Sequence, residues 1–312
     1  MQWPQAVVVV TGGSKGIGRA VAAHAVARGA RVGLVARGRR GLDAALHAIG
    51  ADHSGAVAVA DVADRAQVDA ALAELIEALG PVDILVNNAG LGAAGPVTDV
   101  PVEAFERVMA INYLGTLYAT THVLPGMIGR RRGHIVNVAS VAGRFAAPGE
   151  AAYSATKFAV VGFSQSLAGD LHGTGVGVSL IDPGPVDTGA ASLEGADYKR
   201  RWPRPVPVSR VAEAVMEAVE RGRFEVFVPR WYRAVGVVQA AASGLVRIVP
   251  PSVFGISPSQ ADVDQAVAGA AASRAAARVS DENVRYDAGD ADNLGQPDGE
   301  RHADPDKGGG PT

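Results

Sequence analysis

Apolar residues fall into short, almost unbroken runs that recur along most of the chain. Val7–Thr11, Arg31–Ala36, Ala56–Ala60, Asp83–Asn87, His134–Ala139, Val176–Ile181 and Phe224–Val228 are such runs. They do not alternate with polar residues. This predicts strands covered on both faces, as in a parallel sheet, rather than strands with one wet face. Between them the apolar positions return every three or four residues, as over Asp64–Leu79 and Ala151–Leu171, which predicts helices. Strand followed by helix, six times over, predicts an α/β doubly wound parallel sheet of the Rossmann type, formed as one catalytic domain over residues 1–230.

The pattern breaks at Thr188–Pro207, which holds charged residues, Trp202 and three prolines. This segment reads as a long loop or lid, with Tyr198 and Trp202 as candidate substrate contacts. After Val228 the alternation stops. Residues 231–279 read as an apolar, Ala-rich helical extension, and residues 280–312 as a disordered acidic tail. That tail carries nine acidic residues and three basic ones, a net of -6, against -3 for the whole chain. Neither the tail nor the remainder, near +3, has the basic surface that a nucleic acid requires.

Composition narrows the chemistry. There are no cysteines, so disulfides, thiol nucleophiles and cysteine-ligated zinc are excluded, and no metal site is expected. Met1–Gln5 carries no positive charge and the following apolar run is too short for a signal peptide. No apolar stretch reaches membrane-spanning length. The expectation is a cytoplasmic protein. Trp231–Ile256, apolar with flanking arginines and the pair Trp231-Tyr232, leaves two readings open: peripheral contact with a membrane surface, or packing on the core or at a subunit contact.

The first strand runs into Thr11-Gly12-Gly13-Ser14-Lys15-Gly16-Ile17-Gly18, and a helical pattern follows. Gly12, Ser14, Lys15, Gly16, Ile17 and Gly18 are the candidate phosphate-binding turn. Small residues let the backbone approach a pyrophosphate, and a helix N-terminus offers free N–H groups to it. A glycine-rich turn in this strand-to-helix context is the mark of a dinucleotide site. The second strand ends Leu34-Val35-Ala36-Arg37 without the acidic residue that holds adenosine ribose hydroxyls. Arg37 and Lys15 suit a 2′-phosphate instead, which favours NADP(H) over NAD(H). Asp61-Val62 ends the third strand, where it could face adenine, although Asp61 could equally cap the next helix. Asn88, Ala89 and Gly90 end the fourth, where such sheets bind ligands.

Tyr153 and Lys157 lie four apart in a helical stretch and so share a face. Ser140 ends the fifth strand, and Asn112 falls in the helix after the fourth. Carbonyl reduction needs a hydride and a proton. A phenol of pKa about 10 must come down roughly 2–3 units to exchange protons readily, about 3–4 kcal/mol. A lysine ammonium about 4 Å away supplies on the order of 4 kcal/mol at an effective dielectric of 20. Ser140 would hold the substrate oxygen against Tyr153, and Asn112 would anchor a water leading from Lys157 to solvent.

With Asp182-Pro183-Gly184 and Thr188, these motifs make the chain similar to the short-chain dehydrogenase/reductase family, in its branch of about 250 residues. The resemblance spans residues 7–188 by motif and extends to about Val228 by strand pattern. It implies an oxidoreductase with an Asn112–Ser140–Tyr153–Lys157 tetrad, in which Lys157 also holds the nicotinamide ribose. It implies that Pro183, Gly184, Val186 and Thr188 contact the nicotinamide end. It further implies a homodimer or homotetramer joined through Val102–Leu124 and Ala151–Leu171. Val141–Pro148, mostly apolar, should line the pocket, so a hydrophobic carbonyl or alcohol is expected as substrate. Arg144 in that segment could receive a substrate anion or serve the loop. The competing class is a dinucleotide-binding scaffold or redox sensor without turnover, which a degraded tetrad would favour.

Overall fold

The computed structural model describes residues 3, 4, 6–187 and 204–234. In chain order these form β1 (Val7–Thr11), α1 (Gly16–Val26), β2 (Arg31–Ala36), α2 (Arg39–Ala48), β3 (Gly55–Val59), α3 (Arg65–Leu79) and β4 (Ile84–Asn87). Next come α4 (Val102–Met109), a π-helical turn (Ala110–Leu114), α5 (Gly115–Gly129), β5 (Gly133–Val138), a 3₁₀ turn (Val141–Gly143) and α6 (Ala151–Asp170). The remainder is β6 (Val176–Pro183), β7 (Val186–Asp187), β8 (Val206–Pro207), α7 (Val208–Arg221) and β9 (Glu225–Val228).

Seven strands form one parallel sheet in the order β3-β2-β1-β4-β5-β6-β9. Burial explains the continuous apolar runs. Within β1, Val8 and Val10 face a core shared with α1, α2 and α7, and Val7 and Val9 face a second core shared with α3, α5 and α6. A side chain turns to the opposite face at each residue, so only a strand apolar throughout can serve both layers. The order reverses between β1 and β4. The crevice beyond their carboxyl ends is where doubly wound sheets bind ligands.

Two details depart from the sequence expectation. Val206–Pro207, read as loop, pairs in parallel with Val186–Asp187 as a small second sheet. β6 runs two residues past the expected end, through Asp182 and Pro183, which pair with Phe227 and Val228 of β9. Thr188, the expected lid contacts Tyr198 and Trp202, residues 235–279 and the tail 280–312 lie outside the described residues.

Candidate active site

The turn after β1 is built on glycine where only glycine fits. Gly12 and Gly16 have φ of 66° and 57°. A Cβ on Gly18 would sit 2.4 Å from the Gly12 carbonyl oxygen, so α1 packs directly on the turn that precedes it. No side chain caps the N-terminus of α1. Its first N–H groups, together with the positive end of the helix dipole, face the crevice unclaimed by a cap. The loop after β4 is stapled to this turn. The Thr11 hydroxyl accepts from the backbone N–H of Asn88 and of Ala89 at 3.0 and 3.1 Å. The Asn88 side chain donates to Thr11 O at 3.0 Å. The cradle thus has the shape and the donors that a dinucleotide pyrophosphate needs.

The exposed Arg37 follows β2, and the exposed Lys15 immediately precedes α1. Gly41, near the start of α2, would bring a Cβ to 3.6 Å from Ser14, so the turn after β2 adjoins the phosphate turn. Asp61 is engaged on both oxygens. Arg107 donates to Oδ2 at 2.6 Å and the Ala63 N–H to Oδ1 at 3.1 Å. Burial pushes the Asp61 carboxyl up, but these hydrogen bonds and the charges of Arg107 and Arg37 outweigh it and hold the pKa below the ordinary value. The cap of α3 is not Asp61 but Asp64, whose side chain accepts from Gln67 N. Val62 is buried against Gly115 at the start of α5.

Asn112 from the π-helical turn, Ser140 from the end of β5, and Tyr153 and Lys157 from α6 converge beyond the ends of β4 and β5. A Cβ on Gly90 would lie 3.5 Å from Asn112 Oδ1 and 3.8 Å from Lys157 Nζ, which places both groups beside the β4 loop. Asn112 lies in the π-helical turn. Its side chain donates to Leu91 O and Thr156 Oγ1, both at 2.9 Å, and accepts from Leu91 N at 2.8 Å. Lys157 is buried, donates to Val138 O at 3.0 Å and stands 5.6 Å from the centre of the Tyr153 ring. Ser140 Oγ accepts from Ala142 N at 3.1 Å and donates weakly to Pro183 O at 3.4 Å.

The electrostatics differ from the sequence expectation. Tyr153 is not lowered. Burial pushes its phenol up to about 12, a hydrogen bond with Ser140 opposes this, and the charge of Glu150 adds to it. Lys157 is brought down to about 8, chiefly by burial, against the opposing charge of Asp182. For both groups burial is the largest cause of the shift.

Arg144 is claimed by neither solvent nor pocket. Its guanidinium donates to Asp182 Oδ2 at 3.3 and 3.2 Å, pairs with Glu225, and lies over the Phe227 ring. It is therefore not free to receive a substrate anion. Pro183 is buried, and Gly184 donates its N–H to Val228 O at 2.8 Å. A Cβ on Gly184 would meet the Tyr232 ring at 2.3 Å. Val186 is partly buried and paired with Val206. Of the aromatic pair left open between membrane contact and packing, Tyr232 is buried and stacks on Trp231, which is 48% exposed. Among the described residues no helix is long and apolar enough to cross a membrane, and no cluster of metal-ligating side chains occurs.

Sequence reasoning missed Asp182, Glu225 and Tyr232. Asp182 was visible only as part of a motif, and nothing local ties it to Arg144, 38 residues earlier, or Arg144 to Glu225, 81 residues later.

Comparison with known proteins bears on the family and the fold. Residues 6–199 match the family described as short chain dehydrogenase. The chain is 32% identical over 253 residues to dehydrogenase/reductase SDR family member 7B of Mus musculus, covering 77% of this chain and 78% of that protein. It is 43% identical over 176 residues to a 2-dehydro-3-deoxy-L-rhamnonate dehydrogenase (NAD(+)) of a Sphingomonas species, covering 56% of this chain and 70% of that one. Among solved structures, a short chain dehydrogenase/reductase from Burkholderia phymatum in complex with NAD superposes with a TM-score of 0.72 at 27% identity, over 83% of this chain and 99% of that one. A variant of an actinorhodin polyketide ketoreductase with NADPH gives 0.68 at 32% identity, over 74% and 98%.

Proposed function

The chain belongs to the short-chain dehydrogenase/reductase family and is an NAD(P)-dependent oxidoreductase acting on CH-OH groups; from that premise we propose that it is an NADP(H)-dependent enzyme reducing a hydrophobic carbonyl compound. The convergence of Asn112, Ser140, Tyr153 and Lys157 beside the phosphate turn carries this reading. An intact tetrad weighs against the scaffold or sensor alternative.

Gly12, Ser14, Lys15, Gly16, Ile17 and Gly18 would hold the pyrophosphate. Asn88, Ala89 and Gly90 would line the crevice, with Asp61 and Val62 at its adenine end. Pro183, Gly184, Val186 and Thr188 would line its nicotinamide end. When bound there, a reduced nicotinamide would supply the hydride that carbonyl reduction needs. Ser140 holds the carbonyl oxygen. Tyr153 gives its phenolic proton to that oxygen, so that an O–H bond forms on the product as the tyrosine O–H bond breaks. Lys157 stabilises the phenolate left behind and returns a proton to it. Asn112 keeps the π-helical turn and the loop at Leu91 in register with Thr156 on α6.

The preference for NADP(H) is supported by Arg37 and Lys15 beside the turn, and by the lack of an acid at the end of β2. Relatives differ here: one named relative uses NAD(+), and one structural neighbour carries NADPH. The apolar substrate is supported by Val141–Pro148, whose one cation, Arg144, is drawn away to Asp182 and Glu225. We read residues 1–230 as the catalytic unit, working as a homo-oligomer in the cytoplasm. Peripheral membrane contact through 231–256 rests on Trp231 and on residues outside those described.

The test is loss of reduced-nicotinamide absorbance with NADPH or NADH across a panel of apolar ketones and aldehydes, with Tyr153→Phe alongside. Turnover that prefers NADPH and falls about 10²–10⁴-fold in the mutant is expected. Cofactor binding with equal turnover in wild type and mutant refutes the assignment of Tyr153.

A further inference from the structure

We propose that Asp182 is a positioning residue that keeps the buried Lys157 cationic, and that Arg144 and Glu225 hold it in place to do so. This rests on reading Lys157 as the cation of the tetrad.

Asp182 has no solvent exposure. Its Oδ2 takes both hydrogen bonds from Arg144, whereas its buried Oδ1 has no hydrogen-bond partner. A carboxylate placed only to bridge strands would have both oxygens satisfied, because a bare buried acceptor costs about 1–3 kcal/mol. Here half of the carboxylate stays unspent, within electrostatic reach of a buried ammonium. Lys157 rests on Val138 O; Val138 pairs with Ile181, and Ala139 donates to Ile181 O. Asp182 is therefore one residue beyond the rung on which the lysine lies.

The surrounding charges come from every packed element. α6 contributes Lys157 and the neutral Tyr153, and Glu150 precedes it. The loop after β5 contributes Arg144, and β9 contributes Glu225. Glu150 acts on Tyr153. Among the described residues, the negative charge raising Lys157 is that of Asp182, and Lys157 in turn lowers Asp182. Burial holds Asp182 up to about 7, with Arg144 and Lys157 opposing and Glu225 reinforcing the rise. Asp182 thus supplies the counter-charge that opposes the desolvation of Lys157. Without it, desolvation alone acts on Lys157 and drives it towards the neutral amine.

The chain has four lysines, Lys15, Lys157, Lys199 and Lys307, so lysine labelled with ¹³C at Cε gives four resonances, and Lys157→Arg identifies the one of interest. The full-length protein is titrated by NMR without cofactor. In wild type the Lys157 midpoint is expected near 8, with a smaller inflection near 7 as Asp182 ionises. Asp182→Asn should move the midpoint to lower pH by about one unit or more, and Asp182→Glu should restore it. The alkaline limb of kcat/KM should move with it, whereas a purely structural bridge would lower the amplitude and leave the limb in place. A Lys157 midpoint in Asp182→Asn within a few tenths of wild type overturns the proposal. If that variant does not fold, the wild-type curve decides. A Lys157 already neutral at pH 7 in the wild type overturns it too. Because the readout needs neither cofactor nor turnover, its failure is distinct from failure of the proposed reaction.

Discussion

Replacing Gly18 with alanine tests whether the turn after β1 and the helix behind it form one fitted unit. The new Cβ would lie 2.4 Å from Gly12 O, 2.6 Å from Asn88 Nδ2 and 3.0 Å from Gly12 C. Two of these are backbone atoms and the third belongs to a hydrogen-bonded side chain, so none can swing aside. Reaching ordinary contact distance requires the turn and α1 to part by roughly 1 Å. Overpacking of this kind costs about 1–3 kcal/mol. Disturbing the bonds from Asn88 Nδ2 to Thr11 O and Gly12 O adds about 1 kcal/mol each at most. The better helix propensity of alanine returns about 1 kcal/mol. The net loss of stability is about 2–3 kcal/mol, read by urea denaturation. Cofactor binding should suffer more, because the N–H groups of the turn move with it. A displacement of about 1 Å costs on the order of 100-fold. Gly162 in mid-α6 is the control, since a Cβ there meets nothing within 4 Å. Gly162→Ala should stabilise the fold by about 0.5–1 kcal/mol and leave binding unchanged. A Gly18→Ala protein that binds NADPH within about threefold of wild type and melts at the same temperature would refute the argument.

Three further outcomes follow from other parts of the molecule. His134 is buried, and desolvation brings its pKa down from 6.5 to about 4. Between those values the unfolded chain binds the extra proton, so stability should fall by about 3 kcal/mol as pH drops through that window. Asp182, raised to about 7, works in the opposite direction, but it does so equally in a His134→Asn variant. Unfolding free energies of the two proteins should therefore converge towards pH 4, and parallel curves would disprove the assignment. Arg37→Ser should weaken NADPH binding about 10-fold or more and leave NADH unchanged, as expected for one charge-assisted phosphate contact; equal losses for both cofactors would count against it. Asn112→Ala strips partners from both backbone groups of Leu91 and should destabilise by about 2–4 kcal/mol in chemical denaturation. No measurable change would show that the loop is held by other means.

The layered fold was legible because it follows from burial on two faces. Val7–Thr11 and Arg31–Ala36 coincide with β1 and β2, and the other five strands of the large sheet differ by one or two residues at their ends. The phosphate turn and the Tyr153–Lys157 pair were legible because each is encoded within a few residues. The π-helical turn at Asn112 was not, because one extra residue per turn leaves the apolar spacing almost unchanged. The commitment of Arg144 was invisible, since Asp182 and Glu225 lie on later strands and only the sheet order brings them together. The same limit applies to Tyr153. The sequence places a cation near the phenol, but whether attraction or desolvation governs it depends on how dry the packed site is. Trp231 and Tyr232 look alike in sequence, and the fold divides them, one facing solvent and one lying on Gly184.

The packing of α1 against α7 bears on how the chain is made. Val21, Ala22 and Ala25 of the first helix share a core with Val211, Val215 and Val219 of the last. Trp3 donates to Glu220, which also pairs with Arg28 across the same seam. A ribosome moving at roughly 5–20 residues per second presents the apolar face of α1 on the order of tens of seconds before α7 emerges to cover it. The nascent chain must keep that face from other nascent chains throughout the interval. Burden on holding chaperones during synthesis should therefore track the hydrophobicity of α1 more closely than that of any strand, all of which find sheet neighbours sooner.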